Sequence, residues 1–418
     1  MRQIIAGQAA FVGRVPALVS RHVEEAAFLW DLRCATANSP ALVLADLAAI
    51  DERLEAHVDG LRVAGAEARR QSDLALGQLG SSEAFVSTLL AIEDDLENVL
   101  ERNLSIAQAN PKMRAGTLSA LGWSSPAQLR GLVRSLLRDP DRSFHRLAGI
   151  VACCQHGVEP GRELDAALTA EDSALRAAAF RACGELGRAD RFQACQAALR
   201  DEEPSVRFWA AWSAVLLGDR GAALNLLICC SREPGPWRDR SGRLAFAAMT
   251  HDQASAEFAR SALYRMDLPA IADRAAWLGD VVHVPRLIEM MRLAPLAKAA
   301  GRSFSLMTGV NIVSKSLTRH APVDDVSVEP PNHALLPTPD AERVARWWHE
   351  NGRNFLPGRR LFLGRPLRDT HCLETLQHGV LAYRRYAAEY LCLLRPGTRL
   401  FNVDAPAWRQ RAKLAGVG

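Results

Sequence analysis

A chain of 418 residues is too long for one ordinary core, so its length predicts two to three domains or an extended array of repeats. Its composition, 49% hydrophobic and 23% charged, is that of a folded soluble protein. No uncharged run approaches the roughly twenty residues that a membrane-spanning helix requires, which excludes a helical membrane span. The formal charge of +4 is unevenly placed: residues 341–418 hold fourteen Lys+Arg against six Asp+Glu, and residues 1–340 hold thirty-seven against forty-one. Such a basic end suits an acidic partner, nucleic acid or a membrane surface, or is simply arginine used as solvated helix surface.

Strand-forming runs of Val, Ile and Thr are scarce, while Ala, Leu, Arg and Glu dominate every long segment, so helix is expected throughout. The region 1–110 reads as a set of helices. Residues 4–13 are mildly apolar, but Gln8 interrupts them and Arg14 follows, so no signal peptide is expected. One helix is predicted over 23–32 and a second over 41–58 after the stop at Asn38-Ser39-Pro40. Ser81-Ser82 is placed to cap a helix over 83–104, on which Glu93, Asp94, Asp95, Glu97 and Glu101 form an acidic stripe read as a solvated face.

From Asn110-Pro111 onward the chain repeats itself. Leu175-Arg176, Ala178, Ala182 and Leu186-Gly187 return thirty-one positions later as Val206-Arg207, Trp209, Ser213 and Leu217-Gly218, with a weaker copy around Phe144-His145. Proline opens helices at 111, 126 and 204, where its missing N–H is no loss, and Gly157, Gly187, Gly218 and Gly279 close them. A period near thirty with helical spacing predicts an all-α solenoid whose hairpins bury their apolar faces only by stacking. The period is shorter than the ~40 of long HEAT units, and ankyrin and tetratricopeptide signatures are absent, so residues 111–310 are expected to form short, degenerate HEAT-like repeats.

The pattern breaks over 311–340, where Pro322, Pro330, Pro331, Pro337 and Pro339 accompany Asp324-Asp325 and predict an extended connector. Residues 341–418 form a mixed, mainly helical carboxy-terminal module, with helices over 341–350 and 373–394, a short strand or loop at 359–366 and an extended piece at 398–403. It either stands apart from the array or caps it.

Six residues are candidates for partner binding. Arg384 and Arg385 lie between Tyr383 and Tyr386, equipment for gripping acids or stacking on rings, although the same spacing describes a core stripe with polar tips. Trp209, with Arg207 beside it, combines the residue types that concentrate binding energy, or else packs between repeats. Trp347 and Trp348 are adjacent on one helix and are not both expected to face inward. His371, Cys372, Glu374 and His378 do not have the i, i+4 spacing of a helical metal chelate, and His251-Asp252 with Ser255 lacks a nucleophile elbow. No phosphate loop, dinucleotide fingerprint or H-E-x-x-H is present, so no catalytic residue, cofactor or metal is expected. The nine cysteines show no C-x-x-C spacing and sit mainly in apolar helices, which fits buried thiols in a reducing, cytoplasmic setting.

Several stretches together carry a resemblance: 22–30, 44–65, the run AAGRSFSLMTGV at 299–310, LPTPD at 336–340 followed by Trp347-Trp348, and LFNVDAPAWRQ at 400–410. The chain resembles an uncharacterised family of bacterial HEAT-repeat proteins whose genes often neighbour type VI secretion components. The resemblance implies a non-enzymatic, protein-binding scaffold acting as an adaptor, effector chaperone or immunity protein, with a secretion effector or spike component as partner. Arg302 departs from it, because an acidic residue is expected there. Two alternatives stand beside this reading. One is nucleic-acid binding, disfavoured because the second helices at 189–200 and 221–232 carry few cations beyond Arg191, Arg200 and Arg232. The other is a subunit of a repeat-based lyase or hydroxylase, which requires a pocket where histidines and carboxylates converge.

Overall fold

The computed structural model describes residues 15–261, 268–319 and 336–416. The apolar stretch 4–13 and the connector residues Pro322, Asp324, Asp325, Pro330 and Pro331 lie outside the described residues. Among those described the chain is all-α apart from one short hairpin, and it divides into two compact units. The first takes the chain up to Ala37, Ala45–His156 and Ala405–Arg409; the second takes Asn38–Leu44, Gly157–Asp404 and the residues from Gln410 onward.

The first unit is built from α1 (Pro16–Thr36), α2 (Leu44–Ala64), α3 (Ala66–Leu76), α4 (Ser81–Glu93), α5 (Glu97–Ala109), α6 (Pro111–Trp123), α7 (Leu132–Arg138) and α8 (Ser143–His156). Its core is an aromatic chain in which Trp30 stacks on Phe85 at 5.6 Å, Phe85 meets Trp123 edge-on at 5.7 Å, and Trp123 meets Trp408 at 4.8 Å. Gly116 lets α6 press against α4, since a Cβ there would fall 1.7 Å from the Ser81 carbonyl oxygen. The single helix expected over 83–104 is two helices, broken at Asp95 with φ +54°. Ser81 is not the cap but the first helical residue, and its hydroxyl accepts from the Gly116 N–H at 2.9 Å. Nor is the acidic stripe only solvated: Glu93 binds Arg62, Asp94 binds Arg69, and Glu101 binds Arg142 and His145. The buried Asp51 accepts from Arg33 at 2.7 Å and from the Ala407 N–H at 2.6 Å.

The second unit contains α9 (Arg162–Leu168), α10 (Ser173–Glu185), α11 (Phe192–Ala197), α12 (Pro204–Leu216), α13 (Ala222–Arg232), α14 (Arg238–Ala248), α15 (His251–Ser261), α16 (Leu268–Leu278), α17 (Val284–Met291) and α18 (Ala294–Thr308). Then follow α19 (Ala341–Asn351), the antiparallel pair β1 (Leu361–Phe362) and β2 (Arg365–Pro366), α20 (Asp369–His378) and α21 (Leu381–Leu394); α22 (Ala407–Ala415) ends the described chain. The helix expected over 373–394 is divided at Gly379, because the chain turns extended there and at Val380.

From α10 to α18 the even-numbered helices stack on one another in sequence, and the odd-numbered helices pack beside them as the second layer. The thirty-one-residue offset is a true structural equivalence. Leu175 and Val206 are both fully buried, and Gly187 and Gly218 both have positive φ, +68° and +114°. Arg188 N–H reaches the Cys183 carbonyl and Asp219 N–H the Ala214 carbonyl, both at 2.8 Å, which closes each helix with the long-range bond that a left-handed residue permits. Ser213, where the earlier repeat has Ala182, donates to the Phe180 carbonyl at 2.6 Å and accepts from the Gly184 N–H at 3.1 Å. A Cβ on Gly184 would stand 2.6 Å from that hydroxyl, so these two positions must stay small for α10 and α12 to touch.

The carboxy-terminal module is laid along the turns of the array. Leu361 N–H donates to the Gly279 carbonyl, Leu363 and Gly364 to those of Leu306 and Met307, and Leu400 to that of Glu185. Pro396 sits against Gly218, and Arg399 reaches the Gly157 carbonyl at 2.7 Å. One turn lacks a glycine and carries Met249 instead. There the Arg360 guanidinium donates to the carbonyls of Phe246, Ala247 and Met249 at 2.6, 2.8 and 3.1 Å, satisfying the helix end from outside.

None of the nine cysteines is in a disulfide. Their burial is uneven: Cys153, Cys183, Cys195, Cys372 and Cys392 are buried as expected, Cys154 and Cys230 are partly buried, and Cys34 and Cys229 are exposed, where the expectation of buried thiols fails. Burial pushes the thiols of Cys372 and Cys392 up to about 12, which keeps thiolate scarce. A maleimide reagent should therefore modify Cys34 and Cys229 first under native conditions and all nine only after unfolding, as counted by intact mass. Rapid native labelling of Cys372 or Cys392 would contradict this packing.

Candidate partner-binding surface

The even-numbered helices present a register of side chains spaced by thirty-one residues. Arg181, Trp212 and Arg243 occupy one row on α10, α12 and α14; Ala178, Trp209 and Arg240 occupy the next. Against this face packs α21, whose Glu389 binds Arg243 through two bonds of 2.7 Å while Tyr386 lies 5.2 Å under the same guanidinium. Trp212 is buried by its neighbours, whereas Trp209 is half-buried with Arg181 at 4.9 Å and Arg240 at 5.0 Å from its ring centroid.

The six expected partner residues do not form one surface. Arg384 is 1% exposed: its Nε donates to the Leu376 carbonyl at 2.9 Å, and burial pushes its pKa down to about 10. It belongs to the interior because the helix break at Gly379 turns that side of α21 inward. Arg385 points outward and grips Asp404 at 2.6 and 2.8 Å. Arg207 closes the preceding repeat by donating to the carbonyls of Asp201 and Glu202, both at 2.7 Å, as Arg176 does to Ala170 and Glu171 at 2.7 and 2.8 Å. Trp347 and Trp348 are both half-buried and share neighbours, so neither faces wholly inward. Trp347 meets Phe304 edge-on at 5.8 Å, and Trp348 stacks on Phe355 at 5.5 Å.

Arginines of the basic module serve internal bonds: Arg343 with Asp340, Arg365 with Glu374, Arg395 with Asp369 and Arg399 with Glu159. His251 likewise joins Asp280 at 3.0 Å, an aspartate that caps the short turn Val281–His283 before α17 by accepting from Val282 N–H. Arg181 and Arg240 were not among the expected residues. Extending the thirty-one-residue offset one unit past Trp209 reaches Arg240, so the signal was present in the sequence.

A pocket of about 650 Å³ opens in the second unit where 299–310 and 336–340, two of the stretches that carry the resemblance, come together with α20 and α21. Arg302 lines it and pairs with Asp273, and His371, Glu374, His378 and Tyr383 lie on its wall. His371 is 5% exposed and its Nδ1 has no hydrogen-bond partner; burial, with Arg365 nearby, lowers its pKa. Burial also leads the lowering at His57 and His283. In each case the folded state resists protonation, so the unfolded chain binds more protons as pH falls below the unfolded value of about 6.5. Stability should therefore decline on acidification from pH 7 towards 5, and replacing His371 by Phe should flatten that slope in urea melts. An unchanged slope would contradict the assignment.

Two layers of stacked helix pairs define the chain as an all-α solenoid protein. Residues 163–246 match the family described as HEAT repeats, which places HEAT repeats across the helices from α9 to α14. Neither the curated proteins nor the solved structures contain a match to this chain. Arrays of such repeats commonly serve as protein-interaction scaffolds. No helix among the described residues is long and apolar enough to cross a membrane.

Proposed function

We propose that this chain is a non-enzymatic protein-binding scaffold, acting as an adaptor, effector chaperone or immunity protein beside a type VI secretion apparatus in the cytoplasm. One observation carries the reading: the HEAT hairpins are braced along their turns by the chain's own carboxy-terminal segment, which makes a stiff platform from repeats that are individually soft. The odd-numbered helices keep a polar outer surface, with Arg162, Gln193, Asn225, Gln253, Arg286 and Glu289 exposed. The secretion context draws on the resemblance of the stretches named above. Cross-linking in the source cells followed by affinity capture tests it: secretion components should be enriched over a control chain, and the reading falls if no protein is.

A second reading, a subunit of a repeat-based enzyme, draws on the pocket whose wall carries His371, His378 and Glu374; among the described residues no group of three or more His, Cys, Asp or Glu is placed to hold a metal ion. Thermal-shift measurements with divalent cations test it. A stabilisation of several degrees that disappears in His371→Ala would favour the enzyme, and no shift would leave the scaffold.

A further inference from the structure

The even-numbered face contains a cation that no carboxylate binds directly among the described residues. Arg181 shares Glu185 at 2.7 Å, Arg243 is held by Glu389, and Arg385 by Asp404. Arg240, half-buried between them, makes no ion pair or hydrogen bond among the described residues; its recorded neighbour is the Trp209 ring. Burial, reinforced by Arg181 and Arg243 and opposed only in part by Glu389, pushes its pKa down to about 10. Holding the Arg240 guanidinium partly out of water with no anion bonded to it is unfavourable. Around them, the half-buried Trp209 and Trp237 rest on the fully buried Phe208 at 4.9 and 5.1 Å, and partly exposed tryptophans of this kind anchor protein partners.

We propose that Arg240 and Arg181, which lie 5.0 and 4.9 Å from the Trp209 ring centroid, receive a carboxylate from an acidic segment of a partner protein. This rests on the scaffold reading and specifies the partner's chemistry. A planar guanidinium is suited to a carboxylate, with which it forms paired, charge-assisted bonds. A polyphosphate track is disfavoured by register: the positions equivalent to Arg240 on the two preceding even-numbered helices are Ala178 and Trp209, so the cations do not recur from repeat to repeat.

The test uses the full chain and a fluorescent hexaglutamate peptide, with hexalysine and a short DNA duplex as comparisons. Wild-type protein should bind hexaglutamate, and Arg240→Gln and Trp209→Leu should each weaken that binding at least tenfold. Arg286→Gln, at an exposed position of α17, should leave it unchanged. Arg181→Gln, at an exposed position that does not endanger folding, should weaken it several-fold and serves if Arg240→Gln unfolds. Equal binding by wild type and Arg181→Gln, absence of binding by wild type, or displacement of the peptide by DNA at lower concentration than by unlabelled hexaglutamate would each overturn the proposal. If the variants bind as wild type does while partners are still captured from cells, this site falls and the scaffold reading stands. If the peptide site behaves as expected but no cellular protein is captured, the scaffold reading falls instead.

Discussion

Replacing Glu257 by alanine is expected to destabilise the repeat array by about 3–5 kcal/mol, because it removes one partner from a buried ionic cluster. Glu257 is 1% exposed and accepts three bonds of 2.7–3.0 Å from Arg232, with Arg260 at 3.2 Å and the buried Arg274 at 3.9 Å. Arg274, also 1% exposed, further donates to the Ser231 carbonyl and hydroxyl and the Ser261 hydroxyl, all of them neutral acceptors. The cost comes less from the lost attraction than from a guanidinium left charged where water does not reach. Arg260→Ala, on the exposed side, should cost about 0–1 kcal/mol by contrast. Urea unfolding of both variants checks the pair, and a Glu257→Ala loss as small as that of Arg260→Ala would show that water enters the cluster.

Gly187→Val should be nearly as damaging, at about 2–5 kcal/mol, combining the left-handed penalty of a β-branched residue with overpacking. At φ +68° a Cβ would lie 2.3 Å from the Gly397 carbonyl oxygen, a backbone atom that cannot swing aside. The expected signature is local as well as global. Hydrogen exchange should accelerate at the amide of Leu400, which donates to Glu185, before it does in the middle of α12. Uniform exchange across both would mean that the segment is not seated on this turn.

Much of the architecture could be read from the sequence, because a solenoid repeats its local rules. Gly157, Gly187, Gly218 and Gly279 stand where the turns are, and Gly309, also at positive φ, completes the row. The offset that links Leu175 to Val206 is kept in the packing. What could not be read are contacts between segments far apart in sequence. Nothing local to Arg360 says that it closes a helix ending more than a hundred residues earlier, or that Arg384 is interior while Arg385 is not. Helix breaks were missed for a related reason: Asp95 and Gly379 interrupt amphipathic patterns that continue on either side, so periodicity alone runs across them. The partner surface was legible only in part. Trp209 could be picked out by residue type and the repeat offset leads on to Arg240, but that no carboxylate binds Arg240 directly among the described residues is a property of the fold.

The segment laid over the turns also sets a schedule for biosynthesis. Gly187 leaves the ribosome 210 residues before Gly397, the residue that covers it. At 5–20 residues per second that interval is roughly 10–40 s, long compared with the formation of helix pairs. Throughout it the nascent array is helical but unfinished, with the carbonyls around Met249 bare until Arg360 emerges. Completion thus proceeds against the direction of translation: the oldest turns of the second unit are sealed last, and a ribosome-bound chain is a natural client for chaperones during that wait.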